Sequence, residues 1–221
     1  MSKEPQTATP GSDQRRYWNR VAPEKNFTTP LPLDLLLPRL QPEARILDYG
    51  CGYGRALRTL HDAGFANTVG LDSSTAMIER GRAQWPDLNL QSCPGRAIPF
   101  ADHAFDAVLL LAVLTCLPRD ADLEALLHEV RRVLRPGGLL LVNDFLLGAD
   151  ERNQARYARF VAQGLPLGVF NLPEGATMRH FAPERLRELL ADFSELAWRE
   201  QTFTTMNGNS ARGVTVLAQN A

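Results

Sequence analysis

The run ILDYGCGYGR, Ile46 to Arg55, sets Asp48 just ahead of glycines at alternate positions, Gly50, Gly52 and Gly54. A single glycine suffices for a sharp turn. Alternate glycines suit a backbone that bends and is also approached closely. Between an apolar strand and a helix, such a loop sits where open α/β sheets bind ligands, outside the carboxyl end of the first strand. Gly50 then lets the chain turn, while Gly52 and Gly54 let the backbone and the next helix approach a bound molecule. The dinucleotide pattern G-x-G-x-x-G fails, because its third glycine position holds Arg55. Asp48 would oppose a pyrophosphate and suits a cationic group such as an ammonium. Asp72, closing the next apolar run, stands where an acid pairs with the hydroxyls of a ribose. Each acid also has a plainer reading, as a cap of the helix behind it.

Three further residues are candidates for catalysis on a second substrate. Asn143 and Asp144 end a later apolar run, at a strand end of the kind outside which open sheets bind ligands. His180 follows a Gly- and Pro-containing insertion, between Arg179 and Phe181, and either it or Asp144 could act as a base. Tyr157, Phe170, Asn207 and Asn209 are weaker candidates for the same pocket. His61, His103 and His128 fall on helical surface or loop and are expected to be solvated. Cys51, Cys93 and Cys116 have no second Cys or His at ligand spacing, so neither a metal site nor a disulfide framework is expected.

These residues are carried by an alternation of short apolar runs and amphipathic segments. ARILDYG, NTVGLD, LNLQSC, FDAVLLLAVL and LLLVNDF read as strands, and the segments between them as helices. Strands buried on both faces and separated by helices predict a parallel sheet in an α/β layer fold. Residues 1–12 read as a frayed tail and 13–221 as one domain, with 13–41 a helical N-terminal cap. The alternation breaks at an insertion, 148–181, whose aromatic, basic, Gly- and Pro-containing composition suits a mobile cover over the site. Two late strands flank the turn signal Asn207-Gly208.

A net charge of −1 gives no electrostatic footprint for nucleic acid or an anionic membrane. The longest apolar run, Ala107 to Leu114, is too short to span a bilayer, and the polar start lacks the apolar core of a signal peptide. A cytoplasmic protein acting on a small molecule is expected.

ILDYGCGYGR, VGLDSS, AIPFADHAFDAVLLLAVL and EVRRVLRPGGLLLVNDF, in this order and spacing, resemble the class I S-adenosylmethionine-dependent methyltransferases over about Arg45 to Phe145. The resemblance implies a Rossmann-like α/β fold: a seven-stranded, mostly parallel sheet with its last strand antiparallel and helices on both faces. It implies S-adenosylmethionine as cofactor, with Asp48 and the Gly50–Gly54 backbone at its methionine end and Asp72 on the ribose. Ser73 and Met77 would lie against the ribose and adenine, Leu111 and Ala112 would offer carbonyls to the amino group, and Tyr17 and Phe27 would close from the N-terminal side. Many relatives carry an acid for the adenine amino group where this chain has Pro94, so adenine would be held by backbone near Gly95 and Arg96 or by another side chain. The implied reaction is methyl transfer to a small molecule. Alternatives are ring closure of the cofactor's own amino acid chain to an azetidine, and cofactor binding without catalysis.

Overall fold

The computed structural model describes residues 12–95 and 97–221. The tail expected over residues 1–12 lies outside this range except for Ser12, and Arg96 lies outside it altogether.

Five strands, β1 (Ile46–Tyr49), β2 (Thr68–Asp72), β3 (Leu90–Ser92), β4 (Phe105–Leu111) and β5 (Leu134–Phe145), run parallel, joined by helices α3 (Arg55–Asp62), α4 (Thr75–Gln84) and α5 (Asp120–Val133). They are preceded by α1 (Ser12–Val21) and α2 (Leu33–Leu36). Late strands β8 (Phe193–Thr204) and β9 (Ser210–Asn220) complete a seven-stranded sheet of order β3-β2-β1-β4-β5-β9-β8. Strand β9 is antiparallel to both of its neighbours. Gly208, at φ +77, makes the turn between them.

The pleat explains why the strands are nearly continuous apolar runs. Val108, Leu110, Leu140 and Val142 point to one face, against Leu123, Leu127 and Val130 of α5. Ala107, Leu109, Leu139 and Leu141 point to the other, against Leu36 of α2 and Leu60 of α3. Truncating a fully buried leucine such as Leu109 to alanine would cost about 2–5 kcal/mol. Because β1 lies between β2 and β4, chain connections leave it in opposite directions, and a crevice forms at the carboxyl ends of these strands.

Two local readings change. Strand β5 begins at Leu134, ahead of the Pro-Gly-Gly turn, which becomes an irregularity in the β4–β5 register between Phe105↔Leu134 and Ala107↔Leu139. The insertion holds α6 (Glu151–Val161) and an antiparallel hairpin, β6 (Val169–Asn171) with β7 (Thr177–Arg179), followed by α7 (Pro183–Leu189). Composition suggested a mobile cover, part helix and part loop, rather than a packed layer, yet Tyr157, Phe160 and Phe170 bury against one another with Leu147, Leu165 and Met178. The insertion is a packed unit with a small core of its own.

Candidate active site

A cavity of about 730 Å³ opens at the carboxyl ends of the parallel strands. One wall is built by Asp48, Gly50, Asp72, Ser73, Met77 and Gly95, from the ends of β1, β2 and β3 and the start of α4. Leu111 and Ala112 form its floor at the end of β4. The opposite wall comes from the end of β5, the insertion and the β8–β9 turn, through Phe145, Arg156, Phe170, His180, Asn207 and Asn209.

The loop takes its shape from its glycines. Gly50, Gly52 and Gly54 adopt φ values of +76, +56 and +88, a left-handed region that side chains strain to enter. What lies against them differs from the expectation. A β-carbon on Gly50 would meet Val113, one on Gly52 the ring of Phe27, and one on Gly54 Leu88 and Leu90. Gly52 is not on the cavity wall: the space it leaves is taken by the protein's own aromatic ring, not by a ligand.

The Gly52 N–H donates to Asp72 Oδ2 at 2.8 Å, and the Ser74 N–H to Asp72 Oδ1 at 2.7 Å. Asp72 thus ties the loop to the start of α4, where Ser74, not Asp72, is the helix cap. Burial pushes the Asp72 carboxyl above its usual range, against these backbone hydrogen bonds. Asp48 caps nothing. It is 2% exposed, and neither carboxylate oxygen has a hydrogen-bond partner. Burial pushes its pKa up to about 8, with Asp72 adding to the rise and the Arg55 guanidinium opposing it.

Asn143 and Asp144 are corrected. Both are fully buried and neither lines the cavity. The Asn143 side-chain amide donates to the Pro30 carbonyl at 2.6 Å, and its oxygen accepts from the Thr215 hydroxyl. Asp144 Oδ2 accepts from the Thr115 N–H at 3.1 Å and Oδ1 from the Phe145 N–H at 2.8 Å, holding the turn after β4. Burial pushes its pKa up to about 7. These side chains brace the floor of the cavity without reaching it.

His180 does reach it. It stacks on Phe145 at 5.5 Å between ring centres and meets Phe170 edge-on at 5.0 Å. Its Nδ1 lies 2.7 Å from the Tyr157 hydroxyl, which accepts from the Gly148 N–H at 3.1 Å. Burial, then the Arg156 and Arg152 guanidiniums, push the His180 pKa down to about 3. Tyr157 is therefore a support behind the wall, and Phe170 part of it. Tyr17 is buried off the cavity, edge-on to Trp18 at 4.9 Å; helix α1 presents Gln14, Arg15 and Trp18 instead. Phe27 is on the wall as expected. Among the described residues no cluster of His, Cys, Asp and Glu could hold a metal, and no helix is long and apolar enough to cross a membrane.

A methyltransferase-domain family model matches residues 47–142. A solved S-adenosylmethionine-dependent methyltransferase from Methanosarcina mazei superposes with a TM-score of 0.78 at 26% identity, over 86% of this chain and 98% of that one. The fold is that of the class I S-adenosylmethionine-dependent methyltransferases. S-adenosylmethionine is its cofactor, and the activity is that of a transferase. The chain is also 27% identical to a demethylmenaquinone methyltransferase of Renibacterium salmoninarum, over 76% of this chain and 71% of that protein. A demethylmenaquinone methyltransferase of Beutenbergia cavernae is 37% identical over 59% of this chain and 48% of its own.

In this methyltransferase fold the sequence reading missed Trp18, Arg55, Thr115 and Arg156, all on the cavity. The helical spacing of Arg152 and Arg156 in ERNQARYARF was the available signal, since residues four apart share one helix face.

Proposed function

We propose that this chain transfers the methyl group of S-adenosylmethionine to a small-molecule acceptor lodged between the glycine loop and the insertion. The observation that carries the reading is Asp48: a buried carboxylate on the cavity wall with both oxygens unpartnered. A lone buried acid is costly unless a cation or donor meets it, and the ammonium of the cofactor's methionine end is such a group. Arg55, on the same wall with a buried and unpartnered Nε, fits the adjoining carboxylate. Asp72 keeps lone pairs for the ribose hydroxyls beyond its two backbone contacts. Met77 and the backbone at Gly95 serve the adenine side.

When bound, the cofactor supplies a sulfonium whose methyl carbon is electrophilic. The protein's work is to place a nucleophile in line with that carbon and keep water away. Helix α1 and the insertion meet for this purpose: Gln14 Nε2 donates to the Cys116 carbonyl at 3.0 Å and to the Thr177 carbonyl, and Arg20 donates to the Glu174 carbonyl. His180 changes role from the expected base. With the Tyr157 hydroxyl donating to Nδ1, the neutral ring carries its proton on Nε2, so it donates to an acceptor atom and steers it. The acceptor arrives already nucleophilic.

Small-molecule acceptors agree with the names of the relatives, and the insertion wall gives such an acceptor a place. Nothing in the comparisons favours the acceptor-free ring closure. The deciding experiment is incubation with S-adenosylmethionine, alone and then with a metabolite pool, read by mass spectrometry. S-adenosylhomocysteine formed only with the pool is expected. Methylthioadenosine released without any acceptor, above the non-enzymatic background, would overturn the reading.

A further inference from the structure

The cavity wall opposite the cofactor carries arginines that methyl transfer does not require. Asp48 and Asp72 lie on the cofactor wall with Arg55; Asp122 and Arg15 also border the cavity, and Arg152 and Arg156 line the opposite wall beside His180. Arg156 is the better placed of the two. Its guanidinium carbon lies 3.6 Å from the centre of the Phe170 ring, its Nη2 donates to the Asn153 side-chain oxygen, and its Nε is buried without a hydrogen-bond partner. Asp150, the acid at the start of α6, acts on this charge from a distance and has its close contacts elsewhere. Its oxygens accept from the Asn153 N–H at 3.1 Å and from the Asn153 side-chain amide, and Arg152 stands 3.8 Å away. Phe145, Phe170, Met178 and Met206 give this wall apolar surface beside His180, Asn207 and Asn209. A guanidinium stacked on an aromatic ring is held in place before any ligand arrives, and its planar fork matches an oxyanion.

Resting on the cofactor assignment above, we infer that the acceptor is a planar aromatic molecule bearing an anionic oxygen group, and that Arg156 is the residue that recognises that group. The remaining N–H groups of Arg156 would donate to the oxyanion while the ring system lies along Phe145 and the methionines. His180, held neutral, neither competes for the anion nor cancels the arginine charge.

The test uses the whole chain saturated with S-adenosylhomocysteine and two probes of nearly equal shape, 2-naphthoate and 2-naphthamide, titrated by calorimetry. Naphthoate should bind at least about tenfold more tightly than the amide, the scale of a charge-assisted pair in a partly buried site. Arg156→Met should abolish most of that preference and leave S-adenosylhomocysteine affinity unchanged, while Arg156→Lys retains part of it. Equal binding of the two probes by the wild-type chain overturns the inference, and so does a preference that survives in Arg156→Met. Failure of S-adenosylhomocysteine to bind would instead overturn the cofactor assignment, and the naphthoate preference would then be measured on the chain alone.

Discussion

At Asp48 burial sets the charge state, and two measurable consequences follow. The pKa of about 8 in the folded protein lies well above the ordinary carboxylate value near about 4. Between those limits the folded chain holds a proton that the unfolded chain has lost, so stability falls as pH rises through this window. The chain without cofactor should therefore melt at a higher temperature at pH 5 than at pH 8, and Asp48→Asn should reduce that difference, leaving the part that Asp144 and Asp72 contribute in the same direction. An ammonium beside Asp48 reverses the balance and expels the proton. Calorimetry at pH 7 in buffers of different ionisation enthalpy should show release of about one proton on cofactor binding. A binding enthalpy independent of buffer would show that Asp48 does not meet the cofactor. His180 behaves oppositely, because its pKa of about 3 keeps it neutral at every working pH. His180→Ala should lower turnover about tenfold or more and change S-adenosylhomocysteine affinity by less than about threefold. The wild-type pH–rate profile should show no inflection near the ordinary histidine value. A clear inflection there, lost in the mutant, would restore His180 as a titrating base.

The glycine loop shows how an element can be read correctly for a partly wrong reason. Its position after β1 was plain from the apolar run and the glycines, but Gly52 serves the packing of Phe27 rather than the approach of a ligand. Gly52→Val should thus act on stability first, lowering it by at least about 2 kcal/mol through the positive φ and the collision with Phe27. Adding Phe27→Ala should recover part of that loss, leaving the backbone strain. A Gly52→Val chain that melts like the wild type but fails to bind cofactor would return Gly52 to the ligand. The helices and central strands were legible because their periods repeat over enough residues. Strands β6 and β7 were not, because they are three residues apiece inside a Gly- and Pro-containing segment that breaks the strand–helix alternation by which the equally short β3 was read. In the sequence Tyr157 reads as a weaker candidate for the pocket, and only the hairpin shows it packed with Phe160 and Phe170 in a small core.

Over the whole molecule, helix α1 and the insertion are far apart in sequence but clasp each other across the cavity through Gln14 and Arg20. Amide exchange in α1 and in β6–β7 should therefore slow together when S-adenosylhomocysteine is added. Slowing confined to one of them would show that the two parts of the cover are independent. Such long-range pairings limited the reading of the site. Asp48 and Asp72 were found because their setting is local to a loop and a strand end. Asn143 and Asp144 were misassigned because Pro30, Thr215 and Thr115, their actual partners, are distant in the chain. On α1 the error was one of helical phase, a single residue from Tyr17 to Trp18. The strand order has an effect on biosynthesis. Strand β9, made after every other strand of the sheet, lies between β5 and β8 and covers the Asn143 edge by pairing Thr215 with it. While residues 210–220 are still inside a ribosome, β5 has no partner on that side and β8 has no sheet to join. From the completion of β5 until β9 emerges, the nascent chain must therefore carry an unpaired and largely apolar strand edge, and it is then that a chaperone has most to protect.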